Sequence, residues 1–495
     1  MTRDLSRRHF LGAAAALTTL PAVFRDDPYR PLIAGALPRG DAVRVRGRVA
    51  ADRVGLSGVA ISDGLSVVAT DADGRFDLVT DRNRRWVTVS VPGGYSLPTH
   101  PTGTARCFQR IAAGPRGEAT VTFDLVPLPD GGDRHAFLAL ADIQTQDAED
   151  MARFQAETVP AIKATLAGLA GVPAFAVGDG DIMWDDLARY DDYERAVREI
   201  GIPFVQVVGN HDLDLTGTSD AASTRTFEGR FGPRYYSFNR GRIHYVVLDD
   251  VLYYGGGYIG YVDDDQLGWL AADLALVEKG RSVVVFCHIP LMSNLAERSG
   301  VAPAVANYVT NREALYHLLA PYRTTILTGH LHESDFSSAG GVWERNLGAV
   351  CGAWWTGDIC YDGTPNGYGV YEVSGDSIRW RYQSTGRDEA HQMRLYRHGA
   401  DPKAPDEVLA NVWAWEPGAS VVWYEDGVRR GAMARRVGHD PLAVARQAGP
   451  TLPAKRPWVD PVATGHLFYA PASRTAEVRV EYTDRFGRVS TETLR

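Results

Sequence analysis

The sequence predicts a central α/β layered domain flanked by two small all-β sandwich domains. Three observations carry this expectation. Between Arg134 and about Gly386, apolar runs alternate with helix-like segments, the pattern of a layered α/β domain. Before it, residues 40–127 form short alternating runs broken by Asp-Gly turns. After it, residues 391–495 return to short β-like runs in which no helix is expected. A chain of 495 residues accommodates about three domains at roughly 150 residues each.

Residues 1–25 read as a signal rather than as fold. Ser6-Arg7-Arg8-His9-Phe10-Leu11 opens a basic-then-apolar segment that runs to Phe24 and contains Pro21. A bilayer span needs about 20 apolar residues, more than this segment offers. The paired arginines before Phe and Leu resemble a twin-arginine export signal. That resemblance implies a prokaryotic protein exported to the periplasm, cell surface or medium. No later stretch is long and apolar enough to span a membrane.

In the first β segment, Val43 to Val49 alternates strictly, and further β-rich runs follow around Ile61, Phe76 and Val89. Asp71 and Asp73 before Gly74 are turn residues, because a calcium loop would need a Glu at its twelfth position. Residues 127–133 form a Pro- and Gly-rich linker. In the domain over 134–386, helices are expected over Ala152–Leu169, Asp186–Ile200 and Asp263–Leu276. A hairpin is expected over Tyr235–Asp249, and Tyr368–Tyr382 is strand-like around Ser374-Gly375-Asp376.

Composition excludes several classes. Hydrophobic residues at 45% and charged residues at 23% are ordinary globular values, so a mostly disordered chain is excluded. Four cysteines exclude a disulfide framework or a Cys-based zinc cluster as the source of the fold. A net charge of −9 with no basic stripe argues against nucleic acid as a partner. No Gly-x-Ser-x-Gly elbow supports Ser-His-Asp catalysis.

One feature recurs five times in the central segment. A buried-looking strand runs into Asp142-Ile143-Gln144, another into Gly178-Asp179-Gly180-Asp181, and a third into Gly209-Asn210-His211-Asp212. Two more run into Cys287-His288-Ile289-Pro290 and Gly329-His330-Leu331-His332. Ligands of open α/β sheets bind at the carboxyl ends of strands. Extended geometry would place Asp142 beside Gln144, and His330 beside His332. Glycines before Asp181, Asn210 and His330 would allow sharp turns. Carboxylate, amide and imidazole donors without thiolate suit zinc, iron or manganese. The donors exceed one ion's needs, and a carboxylate can bridge two ions about 3.5–4 Å apart.

This ordered set resembles the calcineurin-like metallophosphoesterase superfamily, and the flanks resemble the β modules of one exported bacterial branch. The resemblance implies an α/β/β/α sandwich and two divalent or transition metal ions (Mn, Zn or Fe). It implies hydrolysis of a phosphomonoester or phosphodiester by attack of metal-bound hydroxide. Carried over, Asp142 and His332 would ligate the first ion, and Asn210, His288 and His330 the second. Asp181 would bridge, with Asp179 as the alternative. His211 would be the general acid or a phosphate contact. Where the family's first motif reads Asp-x-His this chain has Gln144, which would bind metal more weakly or only orient water. Trp184 stands where purple acid phosphatases carry a Tyr, so no tyrosinate–iron centre is expected.

Other residues have two readings each. Trp354 and Trp355 would wall the ester pocket or pack in a core. The Tyr253-to-Tyr261 loop would cover the site or lie on the surface. Cys351 and Cys360 would pair after export, whereas Cys107 and Cys287 would stay single. A rival expectation from another class is a surface binding protein whose β modules grip a glycan or protein, with a structural, weakly active metal site.

Overall fold

A computed structural model describes residues 42–495, which fall into two compact units. The expected signal over residues 1–25 lies outside the described residues. Among the described residues no helix is long and apolar enough to cross a membrane.

Among the described residues, the first unit comprises 42–89 together with 109–124 and 263–278. The strand Ala42–Ala51 pairs antiparallel with Arg75–Asp81 and parallel with Glu118–Asp124. Its alternation is that of a half-buried sheet: Val43, Val45, Phe76, Leu78, Val121 and Phe123 point inward and their neighbours outward. A second sheet contains Val67–Ala69, Ala60–Ser62 and Trp86–Val89. Asp71 Oδ1 accepts from the N–H groups of Asp73 and Arg75 at 2.9 and 2.8 Å, so it shapes the turn as expected. The helix Asp264–Leu274 belongs to this unit and is capped by Asp263, whose side chain accepts from the Gln266 N–H.

The second unit holds residues 90–108, 125–262 and 279–495. Its centre is two sheets. The first runs Phe204–Val207, Ala174–Asp179, Arg134–Leu140, Gly367–Ser374, Ser377–Ser384, with its first three strands mutually parallel. The second runs Tyr236–Arg240, Ile243–Val247, Ser282–Phe286, Arg323–Thr328, Val342–Asn346, Asp335–Ala339, with the middle four parallel. Aromatic rings fill the space between the sheets. Phe137 stacks on Tyr371 at 4.5 Å and meets Phe286 edge-on at 5.8 Å. Phe175 meets Tyr245 edge-on at 5.2 Å. Leu138, Leu140 and Ala176 face the other way, into a core with Phe154, Ile162, Tyr193 and Val197 of the covering helices. Strands covered on both faces need apolar residues at every position, which explains the continuous apolar runs.

The first covering helix begins at Ala148, earlier than expected, because Asp147 caps it by accepting from Glu149 and Asp150. It widens to a π-turn over Phe154–Thr158 before continuing over Val159–Gly168. Pro160 at that junction has no N–H for a normal helical bond, and the wider turn accommodates it.

The C-terminal part of this unit is a pair of four-stranded antiparallel sheets. Val408, Ala410, Trp423, Phe468, Val480 and Tyr482 share their core. One expectation fails here, since a helix spans Pro441–Gln447. Asp440 caps it by accepting from Leu442 and Ala443, and Pro441 starts it where no N–H partner is needed. The helix is too short to show an apolar period in the sequence.

His135 links the two central sheets. Its Nδ1–H donates to the Gly132 carbonyl at 2.8 Å, and its Nε2 accepts from the Tyr245 hydroxyl at 2.6 Å. Burial pushes its pKa down from 6.5 to about 4, so the folded ring is neutral. The unfolded chain then takes up the proton first as pH falls. The stability from keeping the ring neutral is present above pH 6.5 and is lost as pH falls through about 4. A His135→Gln variant, with no ring to titrate, is expected to lose thermal midpoint less steeply than wild type across that window. Parallel slopes in a pH series of melting curves would reject the assignment.

Candidate metal centre

Because the strands within each sheet's parallel set point the same way, their carboxyl ends share one edge. Asp142 and Gln144 follow Arg134–Leu140, Asp181 follows Ala174–Asp179, and Asn210 and His211 follow Phe204–Val207. From the other sheet, His288 follows Ser282–Phe286, and His330 and His332 follow Arg323–Thr328. The structure draws these ends together. Ligand-type atoms of Asp181, His288 and His330 lie within 4.8 Å of one another. His332 Nε2 lies 3.5 Å from Asp142 Oδ1. Gln144 spans toward Asp181, donating from Nε2 to Asp181 Oδ2 at 2.8 Å.

The backbone differs from the expected extended geometry. Asp142, Gln144, Asp181, His330 and His332 have φ of +52°, +46°, +47°, +72° and +51°. Such left-handed residues cost of order 1–3 kcal/mol each and cluster at functional sites. Convergence therefore comes from curled loops, not from the i, i+2 rule. The glycines also act differently from one another. Gly180 has φ +79° and makes a turn. Gly209 and Gly329 do not; they clear space. A Cβ on Gly209 would collide with Asp181 Oδ1, and one on Gly329 would lie 2.6 Å from Asp142 Oδ2.

The histidines are oriented as ligands. His288 Nδ1–H donates to the Asp179 carbonyl at 3.1 Å, and His332 Nδ1–H to the Gly352 carbonyl at 2.6 Å. A backbone carbonyl on one ring nitrogen is how proteins aim the other at a metal. Nε2 of both rings is buried without a hydrogen-bond partner, as is Asn210 Oδ1. His288 Nε2 is 3.2 Å from Asp181 Oδ2, outside hydrogen-bond geometry. Unpartnered buried polar atoms are costly, and a cation is the partner these donors suit. Asp142, Asp181, Asn210, His288, His330 and His332 could together hold metal. Gln144 presents its amide N–H to Asp181, while its Oε1 accepts from the Cys351 thiol at 3.4 Å. As placed, its amide N–H orients the Asp181 carboxylate and its oxygen faces the Cys351 thiol.

The electrostatics are those of a crowded anionic cluster. Burial opposes a charged His288, yet the adjacent Asp181 outweighs it and pushes the ring up to about 10. Burial likewise opposes ionisation of Asp181, but His288 and His211 hold its carboxyl well below the usual carboxylate range. Burial drives His330 down to about 3, helped by the charge of His288. A metal ion entering here would replace protons as the balancing positive charge.

His211 sits at the rim. Its backbone N–H donates to Asp181 Oδ1 at 2.8 Å, and its ring Nδ1 bonds Asp185 Oδ1 at 2.9 Å. Trp354 lies edge-on to it at 5.3 Å and stacks on His332 at 5.1 Å. Trp355 has the other role: its indole N–H donates to the Ile143 carbonyl at 3.0 Å within the core. Tyr253 and Tyr258 belong to a hairpin of Val251–Tyr253 and Tyr258–Gly260, with Tyr258 5.9 Å from the His330 ring. All four cysteines are free and buried, so the expected Cys351–Cys360 pairing is not present.

Two buried carboxylates escaped the sequence reading. Asp212 accepts from the N–H groups of Ile182, Met183 and Gly209 at 3.0 to 3.1 Å. Asp250 accepts from those of His288 and Ile289 at 3.0 to 3.1 Å. Asp212 stands in the Gly-Asn-His-Asp motif, but its partners belong to other loops and spacing does not reveal them.

Asp179 differs from Asp181. Both Asp179 carboxylate oxygens are buried with no hydrogen-bond partner, and burial raises its pKa well above the usual value. Asp181, by contrast, places a carboxylate oxygen within 4.8 Å of the ligand atoms of His288 and His330. Asp181→Asn is expected to strip bound transition metal from the protein to less than one equivalent. Asp179→Asn is expected to keep most of it. Elemental analysis of the two purified variants checks this, and the opposite ranking would move the bridge to Asp179.

Residues 135–334 match calcineurin-like phosphoesterase, 43–128 the N terminal of calcineurin-like phosphoesterase, and 344–489 its C terminal. Purple acid phosphatase 15 of Arabidopsis thaliana is 30% identical over 164 residues, 30% of this chain and 28% of that protein. Serine/threonine-protein phosphatase CPPED1 of Homo sapiens is 26% identical over 198 residues, 39% of this chain and 60% of that protein. The chain thus spans 28% and 60% of these two relatives' own length, less than two thirds of either. A dimetal phosphatase from Danio rerio aligns with a TM-score of 0.34 at 16% identity, over 52% of this chain and 97% of that one. All the strand-end donors from Asp142 to His332 fall inside the central match, and with both flanking segments matched in order the chain belongs to the calcineurin-like phosphoesterase family.

Proposed function

We propose that the chain is a dimetal phosphoesterase that hydrolyses a phosphomonoester or phosphodiester. The observation that carries this reading is the set of buried, unpartnered ligand atoms, Asn210 Oδ1, His288 Nε2 and His332 Nε2, around the Asp142 and Asp181 carboxylates. Asp142, Asp181, Asn210, His288, His330 and His332 would hold two manganese, zinc or iron ions, which would supply polarisation of the phosphate and acidification of a water.

The chain's own residues then have distinct tasks. Asp181 lies beside His288 and His330, and the Gln144 N–H and the His211 backbone N–H fix its two oxygens. Hydrolysis adds a water oxygen to phosphorus and breaks the phosphorus–ester bond, so the departing alkoxide needs a proton. His211 is poised to hold or give that proton. Burial disfavours its charged form, but the Asp181 charge and the Asp185 hydrogen bond outweigh burial and raise its pKa. With Nδ1 on Asp185, Nε2 is left for the ester oxygen. Trp184 has no phenolic oxygen, so no tyrosinate–iron centre forms there.

Export from a prokaryotic cell is part of the proposal and rests on Arg7-Arg8 and the apolar run that follows them. Replacing both arginines by Lys is expected to retain the protein inside the cell, and secretion unchanged by that replacement would refute the route.

General acid help contributes about 10²–10⁴-fold. His211→Asn is expected to lower kcat by that order on an alkyl phosphate, with metal content retained. The loss should shrink on p-nitrophenyl phosphate and its bis ester, whose leaving group departs without a proton. Steady-state kinetics on both ester classes, with elemental analysis, checks this. Metal lost together with activity would make His211 a structural support instead.

A further inference from the structure

Three tryptophans form one continuous cluster beside the donors. Trp184 and Trp354 have ring centroids 4.1 Å apart, and Trp354 and Trp458 are 5.1 Å apart. At its inner end, Trp354 stacks on His332 and meets the edge of His211. At its outer end, Trp458 is 54% exposed. The cluster thus leads from the reacting centre to solvent. Its inner rings touch a proposed ligand and the proposed acid, where an ester's alcohol must lie once its phosphate is bound.

Trp458 comes from the C-terminal sandwich segment, and the chain just before it is anchored firmly. Arg456 is buried and bonds the Asp150 carboxylate, Gln146 Oε1 at 3.2 Å and the Trp354 carbonyl. Its guanidinium lies 4.5 Å over the Trp184 ring. Lys455 Nζ lies 2.8 Å from both Asp147 and Asp150. Arg456 and Trp354 both hold left-handed backbone, at φ +59° and +57°. A buried ion pair is a costly way to gain stability, because desolvation offsets the attraction. Strained backbone and a buried pair together point to positioning. What they position is the indole cluster. The Arg456 charge is neutralised by Asp150, which leaves the exposed Trp458 ring as the cluster's apolar outer face.

We propose that Trp354 and Trp458, braced by Trp184 and Arg456, are the leaving-group subsite, and that it selects esters whose alcohol carries a flat aromatic or heteroaromatic ring. This rests on the phosphoesterase reading above. Stacking of a ring on an aromatic side chain is worth about 1–3 kcal/mol by alanine substitution. Polyol alcohols have no flat face and gain little from such a surface. The same chemistry is offered by a nucleoside and by a phenol.

The test compares adenosine 5′-monophosphate, phosphotyrosine and glycerol phosphate as substrates of the metal-loaded full chain. Trp458→Ala is expected to raise KM roughly tenfold, the size of one stacking contact, for at least one aromatic ester, with the loss in KM rather than kcat. The KM of glycerol phosphate should move far less, and Trp458→Phe should restore most of the loss. The aromatic ester with the larger shift identifies the ring. Equal shifts for all three esters, or none for either aromatic one, would overturn the subsite. Binding is read separately from turnover by quenching of tryptophan fluorescence. Phenylphosphonate should bind more tightly than methylphosphonate, and Trp458→Ala should abolish that difference. Turnover without a phenyl preference sinks the subsite alone. A phenyl preference without turnover of any ester keeps the subsite and sinks the phosphoesterase reading.

Discussion

Buried carboxylates bonded to backbone N–H groups hold the candidate metal centre in place. Asp212, after one strand, grips the N–H groups of Ile182 and Met183 on the neighbouring loop. Asp181 on that loop grips the N–H of His211 in return. Asp142 accepts from the His330 N–H at 3.0 Å and so ties one sheet to the other. Asp250 holds the loop that carries His288. A hydrogen bond to a charged group contributes about 1.5–3 kcal/mol, comparable to the 1–3 kcal/mol cost of one left-handed residue. One bond offsets one strained position, and this site has about as many of each. The loops are therefore held by a mutual lattice rather than by any local preference.

That lattice has an electrostatic consequence. Burial, aggravated by the charge of Asp181, pushes Asp212 up to about 7, and burial pushes Asp250 up to about 6. Each is more stable as an anion if positive charge enters nearby. The carboxylates that shape the loops thus also favour cations at the centre. Shape and metal affinity share one cause, the density of buried acids at a shared strand edge.

The C-terminal sandwich takes part in the same scaffold. Arg345 and Glu416 form a buried pair at 2.8 Å. The Ser334 hydroxyl, two residues after His332, donates to the Trp413 carbonyl at 2.6 Å. Asp362 accepts from the Ser334 N–H at 2.7 Å and bonds His466 at 3.0 Å. The Arg456–Asp150 pair secures the opposite end near Trp354. The loops bearing His332 and Trp354 are thus clamped by residues far away in the chain.

The layered class, the hairpins, the central helices and the strand-end donors were legible in the sequence because each rests on local periodicity or a short motif. Asp142, Asp181, Asn210, His288, His330 and His332 announce themselves as polar residues that interrupt apolar runs. What each donor does was not legible, because that depends on partners from distant strands. Spacing treats Asp179 and Asp181 alike and both are buried; only the partners that distant loops bring to Asp181 separate it from the unpartnered carboxyl. Trp354 and Trp355 are adjacent, yet left-handed backbone at both turns one toward His332 and the other into the core. Gln144 has the residue type of a ligand, and its neighbours Asp181 and Cys351 make it a donor to a carboxylate. Periodicity reports which way a side chain faces within its own element; which atoms meet at the end of that element is decided by long-range packing of two sheets and a C-terminal module.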